Sequence, residues 1–163
     1  MELSSRYDPQ SHESSTYQAW LDDGCFTPAK DAPEGAEPFT IMIPPPNVTG
    51  VLHMGHALNG VIQDVVIRSK RMQGYDALWL PGTDHAGIAT QAVVEKKLFA
   101  EEQTTREELG REAFLQKVFE WKEHHGNRIL EQYRRLGASC DWTRTKFTMD
   151  EDLSRAVRES FLR

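Results

Sequence analysis

Cysteine is scarce: Cys25 and Cys140 are the only two in 163 residues. They stand far apart and outside any CxxC spacing, so neither a disulfide framework nor a four-cysteine metal centre is indicated. No stretch approaches the ~20 apolar residues of a membrane span, and Met1 to Ser15 is polar and acidic where a secretory leader is basic and apolar. These absences point to the cytoplasm. Positive charge is short as well. Nineteen Lys and Arg against 25 Asp and Glu leave a formal charge of −6, which argues against strong non-specific nucleic-acid binding by this chain alone, since that requires clustered cations. There is no HExxH zinc pattern, no GxGxxG dinucleotide fingerprint, no internal repeat and no low-complexity tract. What is present is a globular composition, 39% hydrophobic, enough for a real core.

The chain is organised around Phe39 to His56, FTIMIPPPNVTGVLHMGH. Phe39 to Ile43 is a short apolar run suited to a strand buried on both faces. Pro44 to Pro46 end it, because proline has no N–H for a sheet. Asn47, Thr49 and Gly50 continue the turn chemistry. From His53 an apolar pattern of helical period begins, with Met54, Ala57, Leu58, Val61, Ile62 and Val65 on one side. This strand, loop and helix put His53 and His56 in the first helical turn, on one face, beside unpaired N–H groups and the positive end of the dipole. Gly55 has no Cβ, so a flat ring or a phosphate can approach the backbone there. Zinc does not suit the pair, for the same turn offers no carboxylate and no nearby cysteine.

Gly74 stops the helical pattern and Asp76 to Leu80 forms a second strand. The resulting βαβ unit predicts an α/β fold with a Rossmann-like parallel sheet and flanking helices, and a nucleotide that is ATP and not NAD. The loop Pro81 to Gly87 then emerges at the carboxyl end of the second strand, where open parallel sheets bind ligands, and carries Asp84 and His85. On its own Asp84 also reads as a turn former or helix cap. Upstream, Ser14 or Ser15 is placed to cap a short helix through Tyr17, Ala19, Trp20 and Leu21, ended by Gly24, whose aromatics dock on the main body. Thr27 to Pro38 reads as a linker. Downstream, Thr105 and Glu108 form a capping box for an amphipathic helix through Phe114, Val118, Trp121, His125, Ile129, Tyr133 and Leu136, with a bend at Gly126. His124 and His125 read as core or surface residues. The run EKKLFAEEQTTREE reads as a solvated charged segment, and Asp150 as the cap of a last helix reaching Arg163.

PPPNVTGVLHMGH resembles the HIGH signature of class I aminoacyl-tRNA synthetases, and its flanks resemble the valyl branch. PGTDHAGIATQ (Pro81 to Gln91) and LGASCDW (Leu136 to Trp142) are similar to later blocks of the same branch. The likeness runs from about Tyr17 to the end. It implies a signature region through Pro46, Asn47, Val48, Thr49, Gly50, Val51 and Leu52 to His53, Met54, Gly55 and His56. His53 and His56 would be catalytic donors to phosphate, and Asn47, Thr49 and Gly55 would join them in binding ATP. Pro44, Pro45 and Asn47 would border a valine pocket, with Asp84 accepting from the valine ammonium. Mg²⁺ would neutralise phosphate charge, and no metal site of the protein's own is expected.

The implied activity is that of a valine–tRNA ligase, in which the valine carboxylate attacks the α-phosphate of ATP and the valyl group then passes to tRNA(Val). Residues 1–38 would be an N-terminal helix and linker. Residues 39–163 would be the first half of a Rossmann-like catalytic domain, ending near an editing insertion. No KMSKS lysine motif, editing insertion or anticodon-binding domain is in the sequence, so tRNA contacts would lie mainly in regions it does not contain, and the full-length protein would be a monomer. A small stand-alone HxGH nucleotidyltransferase and a non-catalytic nucleotide- or partner-binding fragment remain as alternatives.

Overall fold

The computed structural model describes residues 6–28 and 32–163. The expected N-terminal unit therefore lies partly outside the described residues, at 1–5 and 29–31. Its helix, α1 (Pro9–Asp22), begins earlier than expected. Asp8 caps it, accepting from the Gln10 N–H, and Pro9 occupies the first helical position, where a missing N–H costs nothing. The aromatics dock as expected. The Tyr17 hydroxyl donates to Ala138 O at 2.7 Å and accepts from Trp142 Nε1 at 2.8 Å, and the Arg68 guanidinium lies over Trp20.

Strand β1 (Pro38–Met42) pairs in parallel with β2 (Asp76–Leu80), in register from Pro38 opposite Asp76 to Met42 opposite Leu80. Helix α2 (Met54–Met72) crosses between them, and Gly74, at φ +84°, turns the chain into β2. The βαβ unit is thus as the periodicity predicts. Burial of β1 on both faces is not. Its residues alternate between half-buried and exposed, with Met42 72% exposed, because only the face that carries Phe39 and Ile41 packs against the core.

Helix α2 carries the predicted apolar stripe on its open side: Met54 is 82% exposed, and Leu58, Val61, Ile62 and Val65 are exposed with it. The side that packs inward is largely polar. Gln63 accepts from the buried Trp79 indole at 3.0 Å. Asp64 accepts from the N–H and hydroxyl of Ser139 and pairs with Arg68 at 2.6 Å, while Arg71 donates to the hydroxyl and carbonyl of Ser139. Buried polar groups need such partners, and here they tie α2 to the Leu136–Trp142 block. Ile67, Trp79, Ile43, Val48, Ile129, Tyr133 and Cys140 fill the core between them. Burial pushes the Cys140 thiol well above its usual range, so it stays protonated and packs as a small hydrophobe.

After β2 come a two-residue strand β3 (Gly82–Thr83), then α3 (Ile88–Glu102), α4 (Arg106–Leu109) and α5 (Arg111–Arg135). The Thr105–Glu108 capping box is present, but it starts only the four-residue α4. Gly110, at φ +83°, separates this turn from the long helix. Helix α5 runs without a break through Gly126, where Val48 lies at ordinary van der Waals distance, 3.8 Å from where a Cβ would stand. Within the charged run, Lys97 pairs with Glu101 and Arg106 with Glu95 on the exposed side, while Leu98 is buried against Phe114. The last elements are a 3-10 turn at Trp142–Arg144, β4 (Lys146–Phe147) and α6 (Glu151–Leu162). Asp150 stands at the α6 N-cap as predicted, but its carboxylate accepts from Phe147 N instead of from the helix.

β3 pairs in parallel with β4, Gly82 opposite Lys146 and Thr83 opposite Phe147. A Cβ on Gly82 would lie 2.8 Å from the Lys146 carbonyl oxygen, which neither backbone can absorb without moving. Gly82→Ala is expected to destabilise the chain by about 1–3 kcal/mol, measured by urea unfolding. An unchanged midpoint would mean that the β4 segment moves aside freely.

Candidate active site

The three prolines interrupt the β1–β2 ladder only briefly. Ile43 N–H still donates to Leu80 O; beyond the prolines Asp84 N–H donates to Pro46 O at 2.8 Å and Val48 N–H to Asp84 O at 2.9 Å. Asn47 and Asp84 thereby become parallel ladder partners, and paired residues send their side chains to one face. On its other side the same loop bonds the β4 segment, Lys146 N–H to Pro81 O and Thr148 N–H to Thr83 O. Three stretches far apart in sequence therefore meet at the carboxyl end of the sheet.

Helix α5 fixes the proline loop from behind. The Trp121 indole donates to Val48 O at 2.7 Å, and the Gln132 side-chain oxygen accepts from Leu52 N–H at 2.9 Å. Val48 is fully buried and Pro46 buried, whereas Pro44, Pro45 and Asn47 are exposed, and Thr49 and Gly50 half-buried. Beyond them the N-terminus of α2 carries the histidines. His53 lies one position outside the expected first turn, as the N-cap, because its ring is used for capping. His53 Nδ1 accepts from Gly55 N–H at 3.1 Å, and His56 Nδ1 accepts from His53 N–H at 3.2 Å. This is a capping box built from imidazoles in place of hydroxyl and carboxylate.

The bonds decide the tautomers. An Nδ1 that accepts carries no proton, so each neutral ring holds its proton on Nε2. The two rings lie 3.9 Å apart, and the site offers two Nε2–H donors at a helix start whose Gly55, His56 and Ala57 N–H groups are already bonded within the cap. Gly55 has a use beyond ligand approach: a Cβ there would stand 2.9 Å from His53 Cε1, so the glycine makes room for the capping ring. Desolvation first, and the neighbouring His53 second, lower the pKa of His56 below the usual imidazole value, in keeping with neutral donors.

Asp84 sits in a strained turn. Its Oδ1 accepts from Ala86 N–H at 2.9 Å, and Ala86 is held at φ +52°, which a non-glycine residue adopts at a cost of roughly 1–2 kcal/mol. The turn-forming role is therefore real, and it occupies Oδ1. The carboxylate is about one-third exposed. His125 stacks on Trp121 at 3.7 Å, a structural placement, and among the described residues no three His, Cys, Asp or Glu side chains gather as a metal site. A cleft of about 860 Å³ between α1 and the end of α5, lined by Tyr7, Trp20 and Arg135 among others, lies away from the histidines. Sequence reading missed Gln132 and Thr148 altogether and took Trp121 only as an apolar helix position.

The family described as tRNA synthetases class I (I, L, M and V) matches residues 15–163. The chain belongs to this family. A valine–tRNA ligase of Caulobacter vibrioides is 59% identical over 160 residues, 98% of this chain and 17% of that protein, and one of Geobacter sulfurreducens is 57% identical over 162 residues, 99% of this chain and 18% of that protein. The chain thus spans under a fifth of the length of these relatives. In three dimensions it is similar to the LeuRS of the Agrobacterium radiobacter K84 agnB2 LeuRS-tRNA-LeuAMS ternary complex. The TM-score is 0.75 at 20% identity, over 96% of this chain and 18% of that one, which shows the shared fold. In this class I chain the HxGH stretch is the capped start of α2, and no described helix is long and apolar enough to cross a membrane.

Because the folded His56 pKa lies below the unfolded value, the unfolded chain takes up its proton first as pH falls. The side chain therefore has no effect on stability well above about 6.5 and withdraws stability from there down to its folded midpoint. Histidine NMR should show His56 titrating below the ordinary range, with the His53 N–H losing its acceptor and exchanging faster as the ring protonates. A midpoint at or above the ordinary value would mean that the reciprocal cap is not populated.

Proposed function

We propose that this chain carries the signature-bearing part of a valine–tRNA ligase. It would contribute to the activation of valine by ATP and, with regions outside this sequence, to transfer of the valyl group to tRNA(Val). The observation that carries the reading is the paired imidazole cap at the start of α2. It sets two Nε2–H donors at the positive end of the helix dipole, where a phosphate is favoured. The 57–59% identity to valine–tRNA ligases supports the amino acid named.

The chemistry asks for alignment and charge stabilisation. A valine carboxylate is already ionised at neutral pH and needs no general base. Attack on the α-phosphorus forms the acyl–phosphate bond and expels pyrophosphate, moving negative charge onto phosphate oxygens. Neutral donors fixed at the helix start favour that charge more than they favour ATP itself. In this reading His53 and His56 touch the phosphates, Gly55, Asn47 and Thr49 border the nucleotide, and Mg²⁺ accompanies the ATP. Pro44, Pro45 and Asn47 form the amino-acid wall, with Asp84 facing the ammonium. Residues 39–163 act as part of the catalytic domain, with residues 1–38 as an extension braced on it. The full protein works as a cytoplasmic monomer.

The test is a chimera in which this chain replaces the matching segment of the Caulobacter vibrioides enzyme. Valine-dependent pyrophosphate exchange is expected. His56→Ala should lower adenylate formation roughly 10²-fold, the scale for losing one such donor, with a smaller change in ATP affinity and partial recovery in His56→Asn. Asp84→Asn should raise KM for valine more than for ATP. Exchange driven best by another amino acid would remove the valine assignment, and a parental rate in His56→Ala would remove the role given to the cap.

A further inference from the structure

Thr148, just beyond β4, makes three contacts with the Asp84 turn. His85 N–H donates to its Oγ1 at 3.0 Å, His85 Nδ1 lies 2.6 Å from the same oxygen, and Oγ1 lies 3.1 Å from Asp84 Oδ1. His85 Nδ1 is also 3.2 Å from Asp84 Oδ1. A hydroxyl has one proton to give and two lone pairs to accept with, which leaves two arrangements. If Thr148 donated to His85 Nδ1, that bare nitrogen would face the carboxylate oxygen, and the short Oγ1–Oδ1 contact would hold no proton. If Thr148 donates to Asp84 Oδ1, then His85 Nδ1–H donates to Thr148 and every contact holds one proton. The second arrangement alone is free of opposed lone pairs.

We infer that Thr148 is a positioning residue. It holds His85 as its Nδ1–H tautomer and Asp84 by its Oδ1, so that His85 Nε2 and Asp84 Oδ2 are left as two acceptors forming a seat for a primary ammonium group. Every hydrogen bond described for the two side chains falls on Nδ1 and Oδ1, and both side chains are partly open to solvent, 42% for His85 and 35% for Asp84. An ammonium has three donors and no acceptor, so a carboxylate oxygen and a bare imidazole nitrogen match it, with the carboxylate supplying the charge. The tautomer matters because an Nε2–H would oppose the ligand. The seat deepens the amino-acid reading above and rests on it for the ligand's identity, while the relay stands on the geometry alone.

The relay is tested on this chain, ¹⁵N-labelled at histidine and held at alkaline pH where the rings are neutral, with His85 identified by His85→Gln. Wild type should carry the His85 proton on Nδ1, and a proton on Nε2 overturns the proposal. The seat is tested by titrating two probes: L-valinol, which keeps the ammonium without the carboxylate, and 3-methylbutanoate, which keeps the carboxylate without the amine. Valinol should shift the His85 signals and 3-methylbutanoate should leave them. Thr148→Val should weaken valinol about tenfold, Thr148→Ser should restore it, and MgATP affinity, read at His56, should change in neither. His125, stacked on Trp121, reports whether each variant is folded. Unchanged valinol affinity in Thr148→Val, or equal loss of MgATP affinity, overturns the positioning role, and so does a failure of valinol to bind wild type. Binding of methylammonium as tight as valinol supports the seat and removes the valine assignment.

Discussion

Two backbone hydrogen bonds, from Asp84 to Pro46 and from Val48 to Asp84, hold the candidate site together. Proline cannot donate to a sheet, and a run of three ordinarily ends pairing between strands. Here the run interrupts it, and pairing resumes beyond, at Asn47 and Asp84. The proline loop thus has a fixed height above the sheet, and α2, which follows it, has a fixed origin. Without this second stretch of ladder, Asn47, Asp84 and the imidazole cap would be carried on independent loops.

The same constraint explains why the clamps come from distant segments. Pairing at Asn47 leaves the Val48 carbonyl and the Leu52 N–H inside the protein with no strand to meet them, and buried backbone groups seek partners. The Trp121 indole and the Gln132 amide, three turns apart on α5, supply them. An unbroken α5 makes their spacing rigid. Gly126 lies between them on the same helix, in van der Waals reach of Val48.

How much of this was legible in the sequence follows from the range of each interaction. The βαβ order, β2 itself and the stop at Gly74 are local, written in periodicity and turn residues, and they appear as read. The first strand, the capping box and the α6 cap were placed nearly correctly, yet their side-chain bonds depend on neighbours that spacing does not encode. Asp150 bonds to Phe147, and Thr105 starts four residues instead of a long helix. His53 and His56 were identified from their signature, while their reciprocal bonding emerged only from the backbone turn at Gly55. Thr148 left no local signal: it lies 64 residues from Asp84, and a threonine before a predicted helix cap reads as ordinary turn chemistry.

Helix α2 shows the limit of periodicity most clearly. Its apolar stripe is real, and an amphipathic helix ordinarily turns such a stripe to the core. In this chain the inward side is instead Gln63, Asp64, Arg68 and Arg71 around Ile67, each polar group matched to a donor or acceptor on Trp79 or the Leu136–Trp142 block. Burying polar groups costs little once all are bonded, and directional bonds define one rotation of the helix where an apolar face would tolerate several. That rotation decides where the first turn points. A hydrophobic contact could hold α2 against the sheet, but the Asp64–Ser139–Arg71 network also fixes the rotation of the helix about its axis, and with it the direction in which His53 and His56 leave its first turn.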